Sequence, residues 1–286
     1  MKVEKPTTHR AVVLAAGLGT RMRRGSEEAD LSGQNRDAAR QGLKGLIRLN
    51  GRPFLDFQIQ RLIEAGCTEI CLVLAAGRSA LHDRYEHLAE RLRAERSGIR
   101  LAFATQHEPK GTADALLAAE EFTAGDDFLL LNSDNLYPLD ALRRLIAAGA
   151  PAVVAFDRSG IARSNIAPER IAEMAIVTGF ESGALTDIIE KPGEAERTRF
   201  PDAPLSMNCW HFPARIFDAC REIEPHPERG ELEIPTAVLH AIRTLDQTFA
   251  LLRSDEPVFD MTGVRDIPAL EEATRDIRLT LPEIEG

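Results

Sequence analysis

The chain has no basic excess, no long apolar run and few cysteines, and each lack closes off a class of function. Its 286 residues carry 35 lysines and arginines against 45 acidic residues, a net charge of −10, whereas a general nucleic-acid binder shows a basic balance. No apolar stretch nears the length of a bilayer span, and the opening residues 1–9 are polar, with Pro6 among them, unlike a signal peptide. Cys67, Cys71, Cys209 and Cys220 form no Cys-x-x-Cys pair and have no histidine at zinc-site spacing, so they read as small core residues of a protein from a reducing compartment. None of the seven histidines has metal-binding spacing, and there is neither an internal repeat nor a hexapeptide array. The expectation is a soluble, cytoplasmic protein with no nucleic-acid or membrane partner; a homo-oligomer is compatible with it.

What is present is concentrated first in residues 10–24. An apolar run, residues 11–16, has the character of a buried strand. It breaks at Gly17 and Gly19 and runs into Arg21, Arg23 and Arg24. Glycines at a strand end let the backbone approach a ligand, and successive N–H groups beside a fixed positive charge favour an anion. Met22 stands where the dinucleotide fingerprint needs a third glycine, and no Gly-Lys-Ser/Thr tripeptide exists for a P-loop. A plain strand-to-loop turn would account for the glycines, though not for the arginine cluster. The reading is a polyphosphate site.

Residues 25–41 are polar, lack apolar periodicity and read as a mobile loop or a short exposed helix. Lys44 follows, and Pro53 opens a helix with an apolar stripe at Leu55, Ile59, Leu62 and Ile63 that ends at Gly66. Strands at 70–75, 101–105, 128–131 and 152–156 then alternate with helices at 79–95, 112–122 and 139–148, with Thr112 as an N-cap. This alternation implies α/β architecture with a mostly parallel sheet, whose ligands bind at the carboxyl ends of the strands. The second half is less regular: a hairpin at 175–177 and 185–189, a polar loop at 193–204, a strand at 207–212, helices at 213–221 and 234–245, strands at 249–252 and 258–259, and a closing helix at 268–278. The seam between the halves is placed at 160–168.

Polar clusters fall at four strand ends: residues 106–112, 132–135, Glu190-Lys191 and Asp260. Their order, with Leu14-Ala15-Ala16-Gly17-Leu18-Gly19-Thr20-Arg21-Met22 before them and Lys44 downstream, resembles that of the sugar-1-phosphate nucleotidyltransferases, of the glucose-1-phosphate thymidylyl- and uridylyltransferase type. The resemblance runs from Val12 to about Leu270. Gln106-His107-Glu108-Pro109-Lys110-Gly111-Thr112-Ala113 resembles the base-reading segment, and Leu131-Asn132-Ser133-Asp134-Asn135 resembles the strand end with the metal-binding aspartate. Glu190-Lys191-Pro192 and Gly230-Glu231-Leu232-Glu233-Ile234 resemble two acceptor-side motifs.

The resemblance implies a Rossmann-like sheet flanked by helices, of the nucleotide-diphospho-sugar transferase type, with a smaller acceptor-side α+β portion. One domain is expected over 1–286, its 10–160 half holding nucleotide and its 161–286 half the acceptor. The reaction implied is Mg²⁺-dependent transfer of a nucleotidyl group from UTP or dTTP to a sugar 1-phosphate. Arg21 and Lys44 would clamp the triphosphate beside Ala16, Gly17 and Gly19, while Gln106, Gly111 and Thr112 would meet the nucleotide and its base. Asp134 and Asp260 would hold Mg²⁺. Lys191 would hold the sugar phosphate, and Glu190 and Asn208 the acceptor. Ser133 replaces the usual glycine, Gly45 a common proline, and Asp260 lies in an unusual context, Asp-Met-Thr-Gly-Val-Arg-Asp. These departures keep two alternatives in view: a non-catalytic regulatory subunit that binds nucleotide-sugar, and a non-sugar acceptor such as phosphocholine. A nicotinamide oxidoreductase is set aside by Met22.

Overall fold

The apolar runs become strands buried on both faces. In the computed structural model, which describes residues 9–27, 31 and 33–284, Ala11 and Val13 of strand β1 (Arg10–Leu14) pack on one side and Val12 on the other. That is the period-two geometry of a strand with no solvent face, and it explains why no polar residue interrupts the run. The same holds for β2 (Glu69–Ala75) and β4 (Phe128–Asn132), while β3 (Arg100–Gln106) lies at the sheet edge and alternates with exposed residues.

Nine strands form one sheet in the order β3-β2-β1-β4-β8-β5-β9-β7-β6, where β5 is Ala152–Phe156, β6 Ala175–Glu181, β7 Ala184–Ile189, β8 Leu205–Phe212 and β9 Ala250–Ser254. The first four are mutually parallel, as are β5 and β9. However, β8 runs antiparallel between β4 and β5, and the β6–β7 hairpin is antiparallel too. The expected mostly parallel sheet is therefore mixed. A strand from the second half lies inside the sheet of the first, so the expected seam at 160–168 is not a structural boundary: the long return that brings β8 back is what local periodicity does not report.

Helices cover both faces. On one side α3 (Phe54–Ala65), α4 (Ala80–Ala94) and α6 (Leu139–Ala147) bury Leu55, Ile59, Leu88 and Leu142. On the other, α5 (Thr112–Leu117) and α7 (Ile234–Thr244) bury Leu116, Ile234 and Val238, with Trp210 stacked on Phe212 between them and the sheet. A third cluster gathers Met22, Ala38, Ala39, Ile47 and Phe54 around α1 (Thr20–Gly25) and α2 (Gly33–Gln41). Pro53 precedes α3 as its cap, and Gly66 ends it with φ of 111°. Thr112 is not the cap of its own helix: Gly111 precedes α5, and the Thr112 hydroxyl instead accepts from the Ile234 N–H at the start of α7. Within the stretch 25–41, residues 33–41 are more ordered than their composition implies, because α2 buries two alanines and Asn35 pins the Arg48 backbone; residues 28–30 and 32 lie outside the described residues. Among the described residues, no helix is long and apolar enough to cross a membrane.

Candidate active site

The carboxyl ends of β1, β3, β4 and β7, together with the middle of β8, surround one cavity of about 550 Å³. Beyond β1, Gly19 takes φ of 61°, and a Cβ there would meet the Gly42 carbonyl oxygen at 2.1 Å. The glycine turn and the end of α2 thus touch backbone to backbone, which only glycine permits. Gly17 differs, since a Cβ would meet nothing within 4 Å, and it lines the cavity beside Ala16 and Leu18. The close pair Gly19–Gly42 places Lys44, two residues on, at the rim. Its Nζ lies 3.0 Å from Oδ2 of Asp134.

Asp134 sits on a tight turn just after β4. The Ser133 N–H donates to the Leu14 carbonyl at 3.0 Å, and the Met261 N–H donates to the Asp134 carbonyl at 2.8 Å. Ser133 is not among the positive-φ residues, so the glycine it replaces is not needed for this turn. At the end of β3 the buried Gln106 amide donates to the Gly111 carbonyl at 3.1 Å and to Oδ2 of Asp114 at 2.8 Å. Both its donors are thereby directed into the protein, which leaves the side-chain oxygen as the group it can offer a ligand.

The other wall comes from the second half. Lys191, with φ of 48°, and Asn208, with φ of 52°, both adopt the left-handed conformation and both line the cavity. Such strain in non-glycine residues clusters at functional positions. Asn208 sits where the β8–β5 register shifts, and the bulge aims its side chain at Asn132. Lys191 Nζ reaches Glu231 at 3.2 Å and the buried Glu233 at 3.4 Å. Glu190 beside it is pushed up to about 7, by burial first and by the Glu233 carboxylate second.

Eleven of the thirteen residues expected from sequence therefore gather at this cavity: Ala16, Gly17, Gly19, Lys44, Gln106, Gly111, Thr112, Asp134, Glu190, Lys191 and Asn208. Two do not. Arg21 is exposed and turned to Glu173, at 3.5 Å, so it does not line the cavity. Asp260 is buried behind the Asp134 turn, opposite Asn135, with its carboxylate engaged by Asn135, Arg170 and Thr262. Its carboxylate accepts from a guanidinium, an amide and a hydroxyl. Asp114 and Gln58, which brace Gln106 and the Asp134 turn, were missed from sequence because nothing in their own segments marks their partners.

The sequence profile of the nucleotidyl transferase family matches residues 10–267. The chain belongs to that family. This nucleotidyltransferase is 28% identical to UTP–glucose-1-phosphate uridylyltransferase AglF of Haloferax volcanii over 82% of its own length and 86% of that protein's. It is 28% identical to a glucose-1-phosphate thymidylyltransferase of Streptomyces antibioticus over 82% of its length, spanning only 57% of that longer relative. Among solved structures, a UDP-glucose pyrophosphorylase complexed with UDP-glucose superimposes with a TM-score of 0.69 at 17% identity, over 95% of this chain and 100% of that one. An inositol-1-phosphate CTP transferase of T. maritima gives 0.71 at 14% identity, over 98% of this chain and 100% of the other. At those identities the likeness is one of fold.

Proposed function

We propose that this nucleotidyltransferase transfers a nucleotidyl group from UTP or dTTP to a sugar 1-phosphate and releases pyrophosphate. The observation that carries the reading is that Lys44 and Asp134 share one cavity with Lys191 and Glu190, so a triphosphate site and a phosphorylated-acceptor site are contiguous. A phosphate oxygen of the acceptor attacks the α-phosphorus; the new P–O bond forms as the bond to the bridging oxygen breaks, and pyrophosphate leaves with that electron pair. Such transfers depend on in-line positioning and charge neutralisation rather than on covalent help.

Lys44 supplies a cation to the triphosphate, and the open face of Gly17 gives its phosphates room. Gln106, held by Asp114, presents an acceptor to an N–H of the base, as uracil and thymine both offer. Lys191 neutralises the acceptor phosphate, Glu190 accepts from a sugar hydroxyl, and Asn208 orients the ring. Asp134 fits Mg²⁺, a hard cation that takes one or two carboxylates and completes its shell with phosphates and water. When bound there, Mg²⁺ neutralises charge on the phosphate oxygens. Asp260, whose carboxylate is already engaged, is assigned to bracing the Asp134 turn. Arg21 lies near enough in sequence to the glycine turn to assist, once released from Glu173. The division into a 10–160 nucleotide half and a 161–286 acceptor half is one of function across a shared sheet.

The test is pyrophosphate release from a matrix of triphosphates and acceptors, including sugar 1-phosphates and phosphocholine, with Mg²⁺ present. UTP or dTTP with a sugar 1-phosphate should give turnover, and Asp134→Asn should lower kcat by about a thousandfold with the fold intact. Turnover confined to phosphocholine, or nucleotide binding without any release, would overturn the proposal.

A further inference from the structure

We propose that Gln58 is a positioning residue that sets the Asp134 carboxylate for the transfer step, a role that rests on the nucleotidyl-transfer reading above. Gln58 lies in the middle of α3, only 5% exposed, among residues that include Leu55, Phe57, Ile59 and Leu62. A side-chain amide placed in such surroundings is costly unless bonded. Its nitrogen donates twice, to the Ser133 carbonyl at 2.6 Å and to the Asn135 carbonyl at 2.8 Å. Those are the carbonyls of the two residues that flank Asp134.

Side chains of Asn132, Tyr137 and Asp260 meet the Asn135 side chain, while the other backbone groups of the turn are bonded to backbone. Leu14 accepts from the Ser133 N–H, and the Met261 N–H donates to the Asp134 carbonyl. All three carbonyls from 133 to 135 are thus bonded within the protein, and Gln58 is the side chain that closes the set. The amide NH₂ is suited to this: its two hydrogens diverge at a fixed angle, it is neutral, and it bridges two acceptors from one atom. The distance between those carbonyls, and with it the direction of the carboxylate between them, is set by α3 instead of by the turn alone. Groups behind a metal-binding or reacting residue commonly matter 10–100-fold, because small displacements are expensive in a transfer reaction.

Gln60 supplies a matched comparison two residues along the same helix. It is equally buried, but its oxygen accepts from the N–H and hydroxyl of Thr280 and its nitrogen faces Glu64, well away from the Asp134 turn. Removing either amide deletes a buried polar group from α3; only one deletion touches the turn.

The experiment compares full-length Gln58→Met, Gln58→Glu and Gln60→Met with the wild-type protein. It reads thermal unfolding, steady-state kinetics, and UTP binding by calorimetry across a Mg²⁺ titration. Gln58→Met should lower kcat by about 10–100-fold and raise by a similar factor the Mg²⁺ concentration needed for half-maximal UTP binding, with the KM for sugar 1-phosphate nearly unchanged. Gln60→Met should lower Tm and leave kcat and Mg²⁺ dependence as in the wild type. Gln58→Glu donates a hydrogen bond only when protonated, so its kcat relative to wild type should rise as pH falls. Equal effects of Gln58→Met and Gln60→Met on kcat and Mg²⁺ dependence would overturn the role. If Gln58→Met does not fold, Gln58→Glu decides: a relative kcat that is flat with pH overturns the role, and one that rises toward acid supports it. A wild-type protein that binds UTP but releases no pyrophosphate would refute the transfer reading alone, because the Mg²⁺ dependence of UTP binding still judges Gln58.

Discussion

Gly17 and Gly19 stand two residues apart in one motif, yet their backbones meet different surroundings. A methyl at Gly19 would overlap the Gly42 carbonyl on a left-handed backbone, whereas a methyl at Gly17, a residue that lines the cavity, would meet nothing within 4 Å. Gly19→Ala should therefore destabilise the fold by roughly 1–3 kcal/mol, and Gly17→Ala should leave Tm nearly unchanged while raising KM for the nucleotide. Melting curves beside nucleotide KM values check both; an unchanged KM in Gly17→Ala would mean the space is unused. Glu190 gives a pH-dependent counterpart. With its carboxyl at about 7 against an ordinary 4.5, the folded chain holds a proton that the unfolded chain has lost between those values. Its contribution to stability is complete below about pH 4.5 and is lost as pH rises through about 7. Glu190→Gln should flatten that part of the fall in Tm between acid and mildly alkaline pH, and parallel melts of variant and wild type would exclude Glu190 as its source. Neither effect is visible in the motifs: the glycines differ only through Gly42, and Glu190 titrates late because the fold buries it first and brings Glu233 beside it second.

Helix α3 shows what periodicity conveys and what it omits. Of its expected apolar stripe, Leu55, Ile59 and Leu62 are buried and Ile63 is half-buried. Asp56, Gln58 and Gln60 are buried as well, which the stripe does not report, because each is satisfied by residues brought in from elsewhere. Asp56 meets Arg52 at 3.0 Å, Arg84 at 2.9 Å and the Tyr85 hydroxyl at 2.8 Å, while the two arginines also hold the carbonyls of Leu281, Pro282 and Ile284. Asp56→Ala would leave two largely buried guanidinium groups without their carboxylate, so we expect a loss of about 3–5 kcal/mol. Denaturant unfolding measures it, and a loss below about 1 kcal/mol, the range of exposed pairs, would show that water replaces the carboxylate. The polar stretch 25–41 is the converse case. Its few small apolar residues carry too weak a pattern to reveal a packed face, but Ala38 and Ala39 suffice against Met22. The mobile loop or exposed helix expected from composition therefore does not describe the packed face of α2; unaltered proteolysis within 33–41 on adding UTP is the outcome this packing calls for.

Across the whole molecule, the site depends on two long-range connections. One is β8, which enters the sheet between β4 and β5 and carries Asn208 to the cavity. The other is a backbone stitch: Leu232 N–H donates to the Lys110 carbonyl at 2.7 Å, and Ala113 N–H donates to the Leu232 carbonyl at 2.9 Å. Gly111 lies inside the stitch with φ of 114°, where a Cβ would fall 2.4 Å from the Leu232 oxygen. Gly111→Ala must displace the segment that bears Glu231 and Glu233, the partners of Lys191, as well as the loop that braces Gln106. It should raise KM for both substrates, in contrast to Gly17→Ala, which should affect nucleotide alone. Initial-rate measurements with each substrate varied separately distinguish the two; a change confined to nucleotide KM would mean that the stitch does not couple the halves.

By itself the sequence determined the alternation of strands and helices, the family resemblance and many residues of the cavity lining, because those are written in short segments: apolar runs, glycines at strand ends and polar residues just beyond them. It named Lys44, Gln106, Asp134 and Lys191 without knowing that Lys44 meets Asp134 or that Lys191 meets Glu231 and Glu233. Only the tertiary structure decided that the sheet is mixed, that Arg21 turns to Glu173, and that Asp260 is already engaged by Asn135, Arg170 and Thr262. Each of those outcomes depends on which distant group reaches a given backbone or charge first. Local sequence specifies which groups are present near a strand end; the packing of segments far apart in the chain specifies which of them remain available to a ligand.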